Sequence, residues 1–307
     1  MRGVRGVREA YGMSDLRLDG ARRSDGEHLP GGDHPSDGGR LSDGDHPSAD
    51  GRRPDAVPGP GIVPPRVPPE RVDDAPALLA EHGAVVLSAY EAGGADPLTL
   101  AAARVLGARL RELYPQRLRT SRDGGPVHLH ADSFDVRVDV GGVPGRRRHP
   151  DEDHVFVRCE RPAPSGGHSF AVDAGRFVDG LAAADPELAD FLTGCDVDLY
   201  GAWAGLRGLP ATPHVGRHVE WTRTGRRIVR RTDGAVPLHR DPQAEHITAM
   251  LDRFTRAVHG LEDALPRFWL GAGDILVLDN YRCWHGRDGH TGERTVRILT
   301  VRSTEAR

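Results

Sequence analysis

Apolar residues are thin over positions 1–60 and fall into regular patterns only from Gly61 onward. Residues 1–60 are mostly Gly, Asp, Pro, Ser and Arg. A ragged repeat runs through them: Ser24-Asp25-Gly26-Glu27-His28, Gly32-Asp33-His34-Pro35-Ser36-Asp37-Gly38 and Ser42-Asp43-Gly44-Asp45-His46-Pro47-Ser48. So little apolar surface cannot offset the entropy of ordering the chain. The expectation is a disordered, low-complexity segment over 1–60, with the folded domain over 61–307.

Beyond a Pro-rich lead-in at 64–69, the pattern predicts a short helix at 74–81 and a β-branched strand at 83–87. Asp96-Pro97 opens a second helix, whose Leu98, Leu100, Val105, Leu106, Leu110 and Leu113 keep helical spacing up to Pro115. Strands then dominate, at 127–132, 154–160, 168–173, 196–200, 217–223, 227–231, 274–279 and 294–302. One long helix at about 242–260 interrupts them, with Ile247, Met250, Leu251, Phe254, Val258 and Leu261 on one side. Short strands separated by Gly/Pro turns favour a barrel or sandwich over a doubly wound sheet. The predicted class is therefore mainly β with flanking helices.

Composition narrows the chemistry. All 41 basic residues other than His are Arg, with no Lys, so a phosphate loop ending in Gly-Lys, a Schiff-base lysine and a Ser-Lys dyad are excluded. Against 45 acidic residues the net charge is −4, which gives no polycationic surface for nucleic acid. No apolar run is long enough to span a bilayer, and no apolar stretch follows Arg2, Arg5 and Arg8 to make a secretory signal. Cys159, Cys195 and Cys283 are odd in number and far apart, as in a reduced cytoplasmic protein.

Three segments carry candidate chemistry. In Val127-His128-Leu129-His130-Ala131-Asp132, strand alternation puts His130 and Asp132 on one face, where an imidazole and a carboxylate suit a transition metal. His128 shares that face, so His128/His130 is a rival pair. In Gly273-Asp274-Ile275-Leu276-Val277-Leu278-Asp279-Asn280-Tyr281-Arg282-Cys283-Trp284-His285, a glycine turn feeds an apolar strand, then a turn, then a histidine. The third segment, Gly292-Glu293-Arg294-Thr295-Val296-Arg297, is a strand that could return Arg294 beside His285 as a bidentate carboxylate partner. Arg297 would lie on its other face, with Glu293 free to pair with Arg297 or solvent.

His-X-Asp, then a distal His, then Arg, resembles the iron(II)/2-oxoglutarate dioxygenases, specifically the taurine dioxygenase (TauD/TfdA) and clavaminate synthase-like group. The resemblance covers roughly 75–302. Its strongest parts are "GDILVLDNYRCWHGR…GERTVR" and "HVFVRCERPAPSGGHSFAVD". It implies a double-stranded β-helix (jelly-roll) core with iron(II) held by His130, Asp132 and His285. It also implies 2-oxoglutarate as co-substrate, held by Arg294 and Ser169, and O₂ as oxidant. His168 departs from the acidic residue usual before the Ser/Thr. Related halogenases carry a small residue in place of the carboxylate, so Asp132 favours hydroxylation, desaturation or cyclisation.

The resemblance implies a small polar substrate, such as a free or carrier-tethered amino acid or a secondary-metabolism intermediate. Arg287, Arg282, Arg240 and Phe134, with Asp135 beside it, are candidate contacts; Trp203, Leu206 and Leu209 are either a lid or core. The alternatives are a non-catalytic jelly-roll sensor and a cupin-type metal enzyme. Neither needs a carboxylate clamp such as Arg294 with Ser169.

Overall fold

The computed structural model describes residues 59–140, 143–149, 152–203 and 213–307, with 134–140 and 143–149 as backbone alone. The expectation for the N-terminal segment up to residue 58, and that for Leu206 and Leu209, lie outside the described residues.

The chain enters through β1 (Gly61–Ile62) and β2 (Arg66–Val67), then forms α1 (Ala75–His82), β3 (Ala84–Leu87) and α2 (Pro97–Leu106). Asp96 caps α2 by accepting from Thr99 N–H at 2.8 Å, and Pro97 sits in the first turn, where no N–H is needed. The helix stops at Gly107, whose φ of 53° most residues avoid. The predicted continuation to Pro115 therefore does not form. Leu110 and Leu113 belong instead to β4 (Leu110–Leu113). The Arg-rich β5 (Arg117–Arg122) shows no apolar alternation and was not expected from the pattern.

Next come β6 (Val127–His130), an antiparallel hairpin of Phe134–Val140 with Val143–His149, β7 (His154–Arg161) and β8 (Ser169–Asp173). Two unexpected helices follow, α3 (Ala174–Ala184) and α4 (Pro186–Gly194), each capped by an Asp side chain. After the small hairpin Val219–Trp221/Arg227–Val229 come α5 (Ala244–Glu262), β9 (Ile275–Asp279), β10 (Cys283–Arg287) and β11 (Glu293–Ser303).

The larger sheet runs β2-β3-β9-β7-β11-β4, with β5 also paired to β11; the smaller runs β1-β8-β10-β6. Alternation along the strands sorts the core. Ile275 and Val277 of β9 pack with Leu79, Leu98 and Val105 from α1 and α2. Leu276 and Leu278 pack instead with Ile62, Ala171 and Cys283 of the smaller sheet. The outer face of that sheet, with Phe170, Val172 and Trp284, is covered by α3, α4 and α5. The two sheets thus face one another with helices outside each, and the protein is mainly β with several helices.

Asp153 ties this frame together. Its Oδ1 accepts from Ser303 N–H at 2.7 Å, and its Oδ2 from Ser303 Oγ and Arg226, each at 2.5 Å. Burial opposes ionisation, yet His154, Ser303 and Arg226 hold the carboxyl well below the usual carboxylate range. A depressed folded pKa means stability that is present above about pH 3.9, the unfolded value, and lost as pH falls below it. Asp153→Asn should cost about 3–5 kcal/mol at neutral pH, the cost of breaking a buried pair. Urea titrations should show the gap to the parent protein narrowing below about pH 4; a gap independent of pH would contradict this role.

Candidate active site

His130 ends β6, Asp132 lies two residues beyond it, and His285 sits in β10 directly opposite His130. That register brings the two imidazole centroids to 4.5 Å. His130 Nε2 is 3.5 Å from Asp132 Oδ1, and one ligating atom from each of the three residues lies within 4.8 Å of the others. Gly286 makes the close approach possible. A Cβ there would stand 2.3 Å from the Phe170 ring and 2.7 Å from the Val127 carbonyl.

His128 does not share the face of His130, contrary to simple alternation. Arg287 pairs with Val127 and His285 with His130, so β6 carries one extra residue against β10. This bulge turns His128 to α5, where its Nδ1 lies 2.8 Å from Glu262 Oε2. Glu262 Oε1 accepts the Leu129 N–H at 2.8 Å.

The three side chains are held from behind. His130 Nδ1 donates to the His128 carbonyl at 2.8 Å, which leaves Nε2 free toward Asp132. Asn280 Oδ1 accepts from Asp132 N–H at 2.9 Å, while its Nδ2 donates to the Asp132 and Glu152 carbonyls at 3.0 and 2.9 Å. One buried amide thus fixes both backbone groups of Asp132. Burial opposes ionisation of Asp132, but His130, His285 and Arg117 hold it below the usual carboxylate range. Arg117 Nη2 is 4.0 Å from Asp132 Oδ2. Burial, reinforced by His130, pushes His285 down to about 4. Burial would lower His130 too, but Asp132 more than offsets it and the pKa is raised.

Asp132 Oδ2 and His285 Nδ1 are buried without a hydrogen-bond partner. Buried polar atoms are rarely left so. Two imidazoles and one carboxylate with such orphaned atoms fit a divalent iron with open positions. Asn280→Ala should lower iron affinity about 10–100-fold, as losing an outer partner of a metal ligand does. Iron titration followed by calorimetry checks this; unchanged affinity would remove Asn280 from the site.

Arg294, Val296 and Ile298 alternate inward on β11, and Val296 and Ile298 join the inter-sheet core. Ser169 and Ala171 likewise face inward on β8, between Phe170 and Val172, which face the helices. Burial lowers the Arg294 pKa, with the Cys159 thiol pulling the other way. Arg297 donates to Glu160 Oε1 at 2.8 Å, and Glu293 pairs with Arg161 rather than with Arg297. Arg287 donates to the Asp288 and Gly125 carbonyls; burial and the charge of Arg294 push it down to about 10.

Arg282 is not brought to the site. It is committed to Asp173 and to the Ala80 and Glu81 carbonyls at the end of α1. Arg240 is exposed on a turn, with φ of 59°. Phe134 and Asp135 begin the hairpin strand, of which only the backbone is described. Trp203 stacks on Tyr200, whose ring centroid is 5.9 Å away. Tyr200, with Ala131, Ile228, Arg231, Asn280 and Tyr281, lines a small cavity that Asp132 also borders. Arg117, Asn280 and Glu262 were not singled out from the sequence. The Asp279-Asn280 turn was visible, but not its reach back to Asp132.

The taurine catabolism dioxygenase TauD, TfdA family model matches residues 54–301. A uridine-5'-phosphate dioxygenase from a Streptomyces species is 29% identical over 155 residues, or 48% of this chain and 54% of that protein. The match thus spans about half the length of that curated relative. A taurine dioxygenase from Burkholderia xenovorans superposes with a TM-score of 0.53 at 14% identity, covering 80% of this chain and 90% of that one. AAD-2, solved with Mn(II) and N-oxalylglycine, gives a TM-score of 0.51 at 15% identity, covering 77% and 89%. Likeness at such identities speaks for the fold, whereas the family model spans most of the sequence. The chain belongs to the TauD, TfdA family.

Proposed function

We propose that His130, Asp132 and His285 hold the iron(II) in a double-stranded β-helix core, and that Arg294, with Ser169 beside it, holds the far carboxylate of 2-oxoglutarate. The convergence of three ligating side chains within 4.8 Å carries this reading. When bound, iron and 2-oxoglutarate supply the oxidation: O₂ is consumed, the co-substrate leaves as succinate and CO₂, and one oxygen atom goes to the substrate.

The chain's own residues set the stage for it. The His128 carbonyl keeps the proton of His130 on Nδ1, so Nε2 faces the metal position. Asp132 is ionised and His285 neutral near pH 7, the forms a metal requires. Arg294 is a half-buried cation without a carboxylate partner among the described residues, as a site for a dicarboxylate needs. Tyr200, Ile228 and Tyr281 line a small cavity next to Asp132.

The reaction we infer is hydroxylation of a small polar substrate, either an amino acid or a secondary-metabolism intermediate, free or carrier-tethered. The curated relative acts on uridine-5'-phosphate, so a nucleoside phosphate belongs among the candidates. Residues 1–60 take no part in the chemistry. The test is succinate release from 2-oxoglutarate with iron(II) and ascorbate, across a panel of amino acids and nucleoside monophosphates. Stimulation by one class identifies it; no succinate above background with any member would remove the reading. Among the described residues no helix is long and apolar enough to cross a membrane.

A further inference from the structure

A second set of metal-ligating side chains lies where β6 meets α5. The β6 bulge turns His128 toward that helix, and its ring centroid comes to 4.7 Å from that of His259. His259 and Glu262 are three residues apart on α5 and so project from one face. His128 Nδ1 is 2.8 Å from Glu262 Oε2, and one donor atom from each of the three residues lies within 4.8 Å of the others. Among the described residues, this group and the proposed iron ligands are the two sets of three His, Cys or carboxylate side chains that converge in this way.

We propose that His128, His259 and Glu262 form a second divalent-metal site, selective for borderline ions such as Zn²⁺, Co²⁺ or Ni²⁺. Two imidazoles and a carboxylate are the donors such ions take. Adjacent donors on one ion with bonds of roughly 2.1 Å stand roughly 3 Å apart, close to the spacing of His128 and Glu262. The carboxylate is already fixed, because Leu129 N–H holds Glu262 Oε1.

A clamp on the bulge would need only His128 and Glu262. The third donor, His259, adds nothing to that clamp. It is exposed, so it gives the ion a path in and can swing the remaining distance onto it. The nearby Arg231 is ion-paired with Asp233 and is also attracted by the charge of Glu262. The site does not depend on the iron assignment, but it adjoins it: the His128 carbonyl also holds His130.

The test uses the full chain carrying Asp132→Ala and His285→Ala, so that the proposed iron site is disabled. Zn²⁺ is titrated by calorimetry and Co²⁺ by its visible absorption, with and without His259→Ala. Histidines 28, 34 and 46 are present in both proteins, so binding to them cancels. We expect one equivalent to be lost or weakened roughly tenfold or more with His259→Ala, as removing a ligand costs at least what an outer partner does. His259→Asp, which restores a donor, should regain part of the affinity and of the Co²⁺ spectrum. Identical titrations with and without His259 would overturn the proposal. If His259→Ala lowered the melting temperature, His259→Asp would decide: restored fold without restored Co²⁺ binding would overturn it.

Discussion

Asp132→Ala and His285→Ala should each abolish stoichiometric iron(II) binding and reduce succinate release to background. Both side chains are partly buried and each carries a buried atom without a hydrogen-bond partner. Asp132 is kept ionised by the two histidines and Arg117, and His285 is kept neutral, so the pair offers an ion two lone pairs of the right protonation state. Removing an outer partner of a ligand costs about 10–100-fold in affinity, and removing the ligand itself should exceed that. Because its lowered pKa makes the Asp132 carboxylate stabilising at neutral pH, Asp132→Ala is expected to lower the melting temperature somewhat, so folding is followed beside binding. Iron per chain, the melting temperature and succinate formation are measured together. A variant that stays folded, keeps one iron per chain and still forms succinate would eliminate that residue as a ligand.

Much of this was legible in the sequence, and the omissions share a cause. The apolar run Ile275-Leu276-Val277-Leu278 announces a strand buried on both faces, and it lies between two cores. Arg294, Val296 and Ile298 announce one face of a strand by simple alternation, which holds although the pairing with β7 shifts register between Thr295 and Val296, because the extra residue there lies on β7. Alternation failed in β6, where the extra residue is defined only against its partner β10, more than a hundred positions away. Asn280 was hidden for the same reason: its bonds to Asp132 span 148 positions. The end of α2 was legible in principle, since Gly107 adopts the positive φ that glycine tolerates, but the leucine spacing carried the pattern past it. β5 could not be found from apolar periodicity because its stability comes from pairing along Glu293–Ile298 of β11 rather than from burying a face.

Arg294→Ala should raise the 2-oxoglutarate concentration needed for half-maximal rate by roughly tens to thousands of fold, while Arg297→Ala should change it little. The two arginines are three residues apart on one strand and therefore face opposite ways. Arg294 points into the layer between the sheets, with Val296 and Ile298 on its side. Burial there lowers its pKa, and no carboxylate of the described residues is paired with it. Arg297 faces the other way, is partly exposed, and is already bonded to Glu160. Truncating one partner of a buried charge pair costs about 2–5 kcal/mol, against under about 1 kcal/mol for an exposed pair. At about 1.4 kcal/mol per tenfold, the difference gives the expected range for Arg294 and a factor of a few for Arg297. Arg294→Lys should recover only part of the loss, because a point charge replaces a bidentate fork. The measurement is a 2-oxoglutarate titration of succinate release at saturating iron, with circular dichroism to confirm folding. Equal shifts for both variants, or a larger one for Arg297, would move the carboxylate contact off Arg294.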